Sequence, residues 1–266
     1  MRYLLTLAIK AAIEAGNEIL TVYNGDNASE VILQKENDTP LTVADRMAHT
    51  SISGNLAYAS YPVLSEEGCD IPYQERSLWE HFWMVDPLDG TKEFLKRNGQ
   101  FTVNIALIKR DQPVLGVIYW PTEDILYFAA EGIGAYKRAD ARAVWRERLD
   151  ELIGLSEKLP VDTKREAYVV VASRSHLSDE TRDFIEDLKR EHTCVETASV
   201  GSSLKICMVA EGSADIYPRF APTMEWDTAA GDAIARCAGK QIVDPENNEP
   251  IKYNKPNLLN GWFIVG

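Results

Sequence analysis

Four apolar segments in the first half of the chain constrain the fold most strongly, because each has the length and composition of a buried β-strand. The last three are separated by short turns that contain proline, at 111–113 and 121–124, which is typical of an antiparallel meander. The first segment ends at an acidic turn. The four segments are 80–85, 102–109, 114–119 and 125–129.

Two amphipathic helices precede this predicted sheet. Apolar residues recur at helical spacing from the start of the chain and predict a helix that ends near Asn24-Gly25. Lys10 and Glu14 interrupt this apolar run, which argues against a secretory signal. A second helix is predicted from Thr42 through Leu56, because Pro62 cannot extend a helix. Short strands are expected at 30–35, followed by a polar turn at 36–40, and at 62–64.

Helices and strands alternate in the second half. A charged segment at 137–166 is the expected boundary, so we predict two domains, 1–160 and 161–266. Helices packed on sheets give a layered α+β fold. The predicted strands are 168–172, 195–197, 215–217, 242–243 and 262–265, and the predicted helices are 179–190, 203–210 and 227–238.

The charge of the chain restricts its partners. The formal net charge is −13, with 28 Lys and Arg against 41 Asp and Glu. A basic surface, which binding to a nucleic-acid backbone needs, is therefore not expected, and polymeric nucleic acid is excluded as a partner. The four cysteines are scattered, which favours free thiols in a reducing, cytoplasmic setting. No segment is predicted to span a membrane, and peripheral attachment to a membrane is left open.

The acidic turn after the first strand has the composition of a metal site. Its sequence, Asp86-Pro87-Leu88-Asp89-Gly90-Thr91, carries two carboxylates, a backbone carbonyl between them and a hydroxyl. Hard divalent cations prefer such oxygen ligands. Asp-Pro and Asp-Gly are also common turn formers, so the motif alone leaves a purely structural role open.

Three further acids have equally plain alternatives. Glu66, in a Glu-Glu pair, follows a short strand whose end would share a sheet edge with Asp86, but paired glutamates are usually solvated. Asp227 is expected to open a helix, where aspartate is a common N-cap. Asp45 lies in a Thr42-x-x-Asp45 capping box. The conjunction of these acids, rather than any one of them, favours a metal site.

These motifs resemble the inositol monophosphatase superfamily over essentially the whole chain. Its signatures read here as Glu66-Glu67, the D-P-L-D-G-T segment at 86–91 and W-D-T-A-A-G at 226–231. Other segments resemble its CysQ-type bisphosphate nucleotidases. They are Lys92-Glu93-Phe94, Ser173-Arg174-Ser175-His176, Gly201-Ser202-Ser203-Leu204-Lys205 and Thr228.

The resemblance implies an αβαβα sandwich, two or three Mg²⁺ ions and a role for each site residue. Asp45, Glu66 and Thr91 would be catalytic, with Asp45 and Thr91 orienting the attacking water and helping to deprotonate it. Ser203 and Lys205 would hold a second, non-reacting phosphate. The implied metal ligands are Glu66, Asp86, Asp89, Asp227 and the Leu88 carbonyl, and the implied substrate contacts are Gly90, Thr91, His176, Ser203, Lys205, Arg219 and Asp227.

The expected activity is the hydrolysis of adenosine 3′,5′-bisphosphate to AMP and phosphate. The expected partner is a small phosphorylated nucleotide, and the resemblance implies a monomer or weak dimer. Inositol monophosphatase or broad sugar-phosphate phosphatase activity is the nearest alternative. A metal- or nucleotide-binding protein without turnover is a third, which the complete set of acids and Thr91 argues against.

Overall fold

A computed structural model describes the chain except residues 26–30, 35–39, 69–70, 147, 163 and 173–177, and gives only the backbone of 31–34, 40 and 41. In the first half the elements are α1 (Arg2–Tyr23), β1 (Val31–Gln34), β2 (Pro40–Thr42), α2 (Val43–Leu56), a 3-10 turn (Ala57–Ala59), β3 (Val63–Ser65), α3 (Tyr73–Arg76), β4 (His81–Asp89), α4 (Thr91–Leu95), β5 (Thr102–Lys109), β6 (Gln112–Trp120), β7 (Ile125–Ala130), β8 (Gly134–Arg138), α5 (Ala141–Val144), α6 (Leu149–Gly154) and β9 (Glu157–Lys158). The second half contains β10 (Tyr168–Val171), α7 (Asp179–Glu191), β11 (Val195–Ala198), α8 (Leu204–Glu211), β12 (Tyr217–Arg219), β13 (Thr223–Met224), α9 (Glu225–Cys237), β14 (Ile242–Val243), β15 (Leu259–Asn260) and β16 (Phe263–Val265).

A seven-stranded sheet, ordered β3-β4-β5-β6-β7-β8-β9, forms the centre of the first half. Its first pair, β3 and β4, is parallel, and the other neighbours are antiparallel. The predicted meander is therefore confirmed, and it extends through β8 and β9, which lie in a segment where the charged composition gave no strand signal.

Both faces of this sheet are covered, which explains why its strands are apolar throughout and do not alternate with polar residues. In β5, Val103, Ile105 and Leu107 pack in the core formed with α1 and α2. Ala106 and Ile108 alternate with them and pack in the core formed with α8 and α9. The contact with α9 is close: a Cβ added at Gly116 of β6 would lie 2.2 Å from the Ala230 carbonyl oxygen.

Smaller sheets complete the second half. Strands β10 and β11 pair in parallel, with α7 between them in sequence. Strand β16 lies between β12 and β14, and β13 pairs with β15. Buried residues of β10 and α7 form a third apolar cluster. Helices and sheets thus alternate in layers, which confirms the α+β class.

Among the elements that carry the site aspartates, two expected boundaries are wrong. We expected the strand before the acidic turn to stop at Val85, but β4 continues to Asp89. Its pairing with β5 is irregular, with Asp86 opposite Asn104 and Asp89 opposite Thr102, so a bulge carries the chain through the turn. Helix α9 begins at Glu225 rather than at Asp227, because the Met224 N–H is capped by the Asp227 carboxylate.

Candidate active site

Two adjacent strand ends bring most of the predicted acids together. Because β3 and β4 are parallel, Ser65 lies opposite Val85, and the Glu66 N–H donates to the Val85 carbonyl at 3.1 Å. Glu66 and Asp86 therefore follow paired residues at one edge of the sheet, as the sequence predicted.

Three aspartates from two distant segments converge at this edge. Asp86, Asp89 and Asp227 each place a ligand atom within 4.8 Å of the other two. Asp86 and Asp89 come from β4, and Asp227 comes from the first turn of α9. Glu66 is not part of this close group, but its negative charge acts on the carboxyls of Asp86, Asp89 and Asp227.

Burial and mutual repulsion raise the pKa of these acids. Burial is the main cause of the raised pKa of Asp86, and the charges of Glu66 and Asp89 add to it. Burial also raises the pKa of Asp227, followed by the charge of Asp89. The pKa of Asp89 is raised by burial as well, although the charge of Lys205 opposes the shift. Without a bound cation the cluster therefore favours protonation.

The donor set fits a hard divalent cation. Carboxylate oxygens at this spacing repel one another unless a cation or protons lie between them, and oxygen ligands are those that Mg²⁺ and Ca²⁺ prefer. The turn adds a carbonyl: Leu88 accepts a hydrogen bond from Thr91 Oγ1 at 3.3 Å, and its own N–H donates to Asp86 Oδ1 at 3.0 Å. These bonds hold the turn compact.

Two groups that sequence reasoning did not assign to Asp89 hold its carboxylate in place. The Ser203 backbone N–H donates to Asp89 Oδ2 at 2.6 Å, and Asn104 Nδ2 donates to the same oxygen at 3.4 Å. The Ser203 hydroxyl is buried and bonded to Asn104 and Thr102. A contact of this hydroxyl with substrate would require those bonds to break, so the observed contact of Ser203 with the site is through its backbone N–H.

Asp45 and Thr91 lie within reach of one another beside the cluster. Thr91 Oγ1 is 3.4 Å from Asp45 Oδ1, whereas Asp45 Oδ2 accepts from the backbone N–H and the hydroxyl of Thr42. The predicted capping box is thus present, and it occupies only one of the two carboxylate oxygens. Asp45 can therefore cap helix α2 and also act in the site.

A cavity of about 550 Å³ opens from Asp89 and Asp227, and the described residues of the predicted substrate site line it, except Thr91. Gly90 lies at its edge with φ of 94°, a conformation that favours glycine. Lys205 donates to the Ser202 carbonyl at 2.6 Å, and burial lowers its pKa to about 8. Arg219 also lines the cavity. The predicted contact His176 lies outside the described residues.

A buried arginine that sequence reasoning missed connects the Glu66 segment to the C-terminal loop. Arg76 is 3% exposed, and its Nε donates to the Ile71 carbonyl at 3.0 Å. Its terminal nitrogens donate to Asn254 Oδ1 at 2.6 Å and to the carbonyls of Lys255 and Pro256 at 3.2 to 3.4 Å. No local motif signals this role, because the partners are nearly 180 residues away in sequence.

The same loop is attached to the start of α9. Glu225, fully buried, accepts hydrogen bonds from the backbone N–H of Asn254 at 2.5 Å and of Lys255 at 3.0 Å, and from Lys255 Nζ at 2.6 Å. Glu225 precedes the site residue Asp227 by two positions. Arg76 and Glu225 therefore fix the two segments that carry Glu66 and Asp227 to one loop.

The fold and the site define a class of protein: a layered α+β sandwich with a buried carboxylate cluster suited to divalent metal ions. The model of the inositol monophosphatase family matches residues 1–262. The chain is 46% identical to the 3′(2′),5′-bisphosphate nucleotidase CysQ of Salmonella typhimurium and 44% identical to that of Escherichia coli K12. Each match covers 96% of this chain and 96% of the relative.

Solved structures agree with this placement. The crystal structure of CysQ from Bacteroides thetaiotaomicron, described as a bacterial member of the inositol monophosphatase family, is 52% identical with a TM-score of 0.92. The match covers 100% of this chain and 97% of that one. The suhB protein of Bartonella henselae is 27% identical, with a TM-score of 0.73 over 99% of this chain and 93% of that one. The chain belongs to the inositol monophosphatase family, which is metal-dependent.

Proposed function

We propose that this chain is a magnesium-dependent phosphatase that hydrolyses the 3′-phosphate of adenosine 3′,5′-bisphosphate, giving AMP and phosphate. The convergence of Asp86, Asp89 and Asp227 beside a cavity lined by basic side chains carries the proposal. The full-length similarity to proteins named 3′(2′),5′-bisphosphate nucleotidase supports the choice of substrate.

We assign the metal ligands to Glu66, Asp86, Asp89, Asp227 and the Leu88 carbonyl, holding two or three Mg²⁺ ions. When bound, divalent cations supply a water of lowered pKa and neutralise charge on the phosphoryl and leaving oxygens. They also reverse the sign of the local field, so that an acidic protein can accept an anionic substrate.

Asp45 and Thr91 are the residues that act on the attacking water. A threonine hydroxyl has one proton and two acceptor positions. When Thr91 turns its one proton from the Leu88 carbonyl to Asp45 Oδ1, its lone pairs can accept a hydrogen bond from the water and orient the water oxygen toward phosphorus. Asp45, held through its other oxygen by Thr42, is placed to receive a proton through Thr91.

The setting of this activity follows from the same reading. A small phosphorylated nucleotide is the substrate, and no helix in the described part of the chain is long and apolar enough to cross a membrane. We expect a cytoplasmic monomer or weak dimer, with peripheral membrane attachment open. Size-exclusion chromatography with light scattering measures the oligomeric state.

Phosphate release in the presence of Mg²⁺ tests the activity. We expect the wild-type protein to prefer adenosine 3′,5′-bisphosphate to inositol 1-phosphate, because only the nucleotide carries a second phosphate for the basic side chains of the cavity. Lys205→Ala is expected to weaken use of the bisphosphate more than use of the monophosphate. A wild-type preference for inositol phosphate would overturn the choice of substrate, and no turnover of either would favour a binding protein.

A further inference from the structure

The cavity next to the aspartate cluster is lined by two lysines that belong to neither the metal ligands nor the predicted substrate contacts. Lys92 and Lys96, in and directly after α4, both line it. They are four residues apart, so they project from the same face of the helix. Both are exposed, and neither side-chain ammonium group forms a hydrogen bond or an ion pair with any residue that the structure describes. Two unpaired ammonium groups thus face one cavity in a chain of net charge −13.

The basic residues deeper in the cavity are already engaged. The Lys205 ammonium donates to the carbonyls of Ser202 at 2.6 Å and Val200 at 3.4 Å, which leaves one of its three N–H groups. The Ser203 hydroxyl is bonded to Asn104 and Thr102. The residues that the motif pattern suggested for a second phosphate therefore have little remaining capacity for it.

Arg219 offers a donor without an acceptor among the described residues. Arg219 Nε is buried and has no hydrogen-bond partner in the described structure, although Nη2 donates to the Pro222 carbonyl at 3.1 Å. A buried N–H of this kind costs free energy unless an acceptor satisfies it. Because Arg219 lines the same cavity as the two lysines, an anion bound in that cavity can supply the missing acceptor.

The position of the lysines along α4 separates their roles. Lys92 directly follows Thr91, the residue expected at the reacting phosphate. Lys96 lies four residues further, about 6 Å along a helix axis that rises about 1.5 Å per residue. An anionic group bound by Lys96 is therefore displaced from the reacting phosphate and belongs to another part of the substrate.

We infer that Lys96, assisted by Lys92, binds the second, non-reacting phosphate and makes the enzyme selective for doubly phosphorylated small molecules. This inference rests on the proposed function. It assigns most of the selectivity to the side of the cavity formed by α4, with Lys205 contributing the one N–H group that its bonds to carbonyls leave. Unpaired lysines at the surface are suited to an incoming phosphate, because no ion pair has to break.

Paired substrates test the inference. Adenosine 3′,5′-bisphosphate and adenosine 3′-monophosphate share the reacting phosphate and differ in the second one. Lys96→Gln is expected to lower kcat/KM for the bisphosphate by about tenfold or more, the size of one charge-assisted hydrogen bond, through KM with kcat retained. Hydrolysis of the monophosphate should stay within about twofold. Lys92→Gln should give a smaller change of the same kind.

Lys109→Gln is the matched control, because it removes the same charge from an exposed residue that does not line the cavity. Lys109 is the last residue of β5. This variant should leave both substrates unaffected. Equal losses on the two substrates in Lys96→Gln, or no loss on either, would overturn the inference while the proposed function stands. If the wild-type protein hydrolyses neither nucleotide, the proposed function itself has failed.

Discussion

Single carboxylates in this site perform two tasks at once. Asp45 accepts the Thr42 N–H with one oxygen and lies near Thr91 with the other, and Asp227 accepts the Met224 N–H with Oδ2. Each thus completes a helix N-terminus, where an acidic side chain is favourable, and still has an oxygen for the site. The helix cap restricts the rotation of the side chain, so it also fixes the oxygen that faces the cluster.

Thr91→Val tests the role of the threonine hydroxyl. Valine matches threonine in shape but cannot orient a water, so we expect kcat to fall by about 100-fold or more, the range of general acid–base contributions. Thr91→Ser, which keeps the hydroxyl, should retain most of the activity. Steady-state kinetics with the bisphosphate measure both variants.

Asp45→Asn should cause a loss similar to that of Thr91→Val, and the double variant should be little worse than either one, because residues that act as a unit are not additive. Wild-type kcat in Thr91→Val, or fully additive losses in the double variant, would contradict the assigned pair.

At this scale the sequence predicted the acids well and their supports poorly. The converging acids Asp86, Asp89 and Asp227 were found because their side chains are themselves letters of the motifs. Asn104 and Arg76 were missed, because their contacts depend on strand pairing and on a loop from the other end of the chain. Ser203 was identified, but its bond to Asp89 is through its backbone N–H, which no side-chain motif encodes.

Helix α9 carries a buried charge one turn after the site. Asp232 is fully buried, and its Oδ1 accepts from Arg236 Nε at 2.8 Å, an i,i+4 pair. Its Oδ2 has no hydrogen-bond partner among the described residues. The side chain of Arg236 is partly exposed to solvent. Burial raises the pKa of Asp232 to about 6, against the lowering effect of Arg236.

This shift predicts a dependence of stability on pH. Between the ordinary pKa of 3.8 and about 6, the folded state holds a proton on Asp232 that the unfolded state has released. Stability from this group is therefore full below pH 3.8 and is lost as pH rises through 6, by about 3 kcal/mol. Asp232→Asn removes the titration. The free energy of unfolding of the wild type minus that of the variant should fall by about 2 kcal/mol from pH 4 to pH 7, because part of the titration lies below pH 4.

Urea unfolding of metal-free protein, followed by circular dichroism at several pH values, measures the difference. The other carboxylates are present in both proteins, so their titrations cancel in the subtraction. A difference that does not change between pH 4 and pH 7 would show that Asp232 keeps an ordinary pKa.

The elements were predictable where the pattern is long and regular. Helices α1, α2 and α7 were found nearly to the residue because their apolar periodicity extends over several turns, and strands β5 to β7 because they are apolar runs bounded by turns. The short helices α3 and α4 were missed, since four or five residues give no periodicity. The expected strand at 215–217 lies instead at Tyr217–Arg219, where pairing with β16 sets its register.

The whole molecule holds its site between distant parts of the chain. Glu66 follows β3, Asp86 and Asp89 end β4, and Asp227 begins α9, while Arg76 and Glu225 attach the first and last of these to the loop at 254–256. The division predicted at residue 160 stays a prediction. The central sheet ends at β9, but α9 packs against β6 of that sheet, so the C-terminal part also contributes to its core.

The net charge of the chain and the charge of the cavity have different consequences for the ligands that can bind. The chain as a whole is strongly acidic, which disfavours polyanions. Within the cavity, the site aspartates and several basic side chains line the same space. Bound cations would make the aspartate cluster attractive to phosphate, so that selectivity for a small anion arises locally in an acidic protein.

The central claim is that acids far apart in sequence form one divalent-metal site, and calorimetric titration of metal-free protein with Mg²⁺ tests it most directly. The wild type should show saturable binding, and both Asp86→Asn and Asp227→Asn should weaken it by about 100-fold or more, because each removes a charged ligand. Asp183→Asn, an exposed acid on α7, should bind as the wild type does. Wild-type affinity in Asp86→Asn and Asp227→Asn would contradict the account.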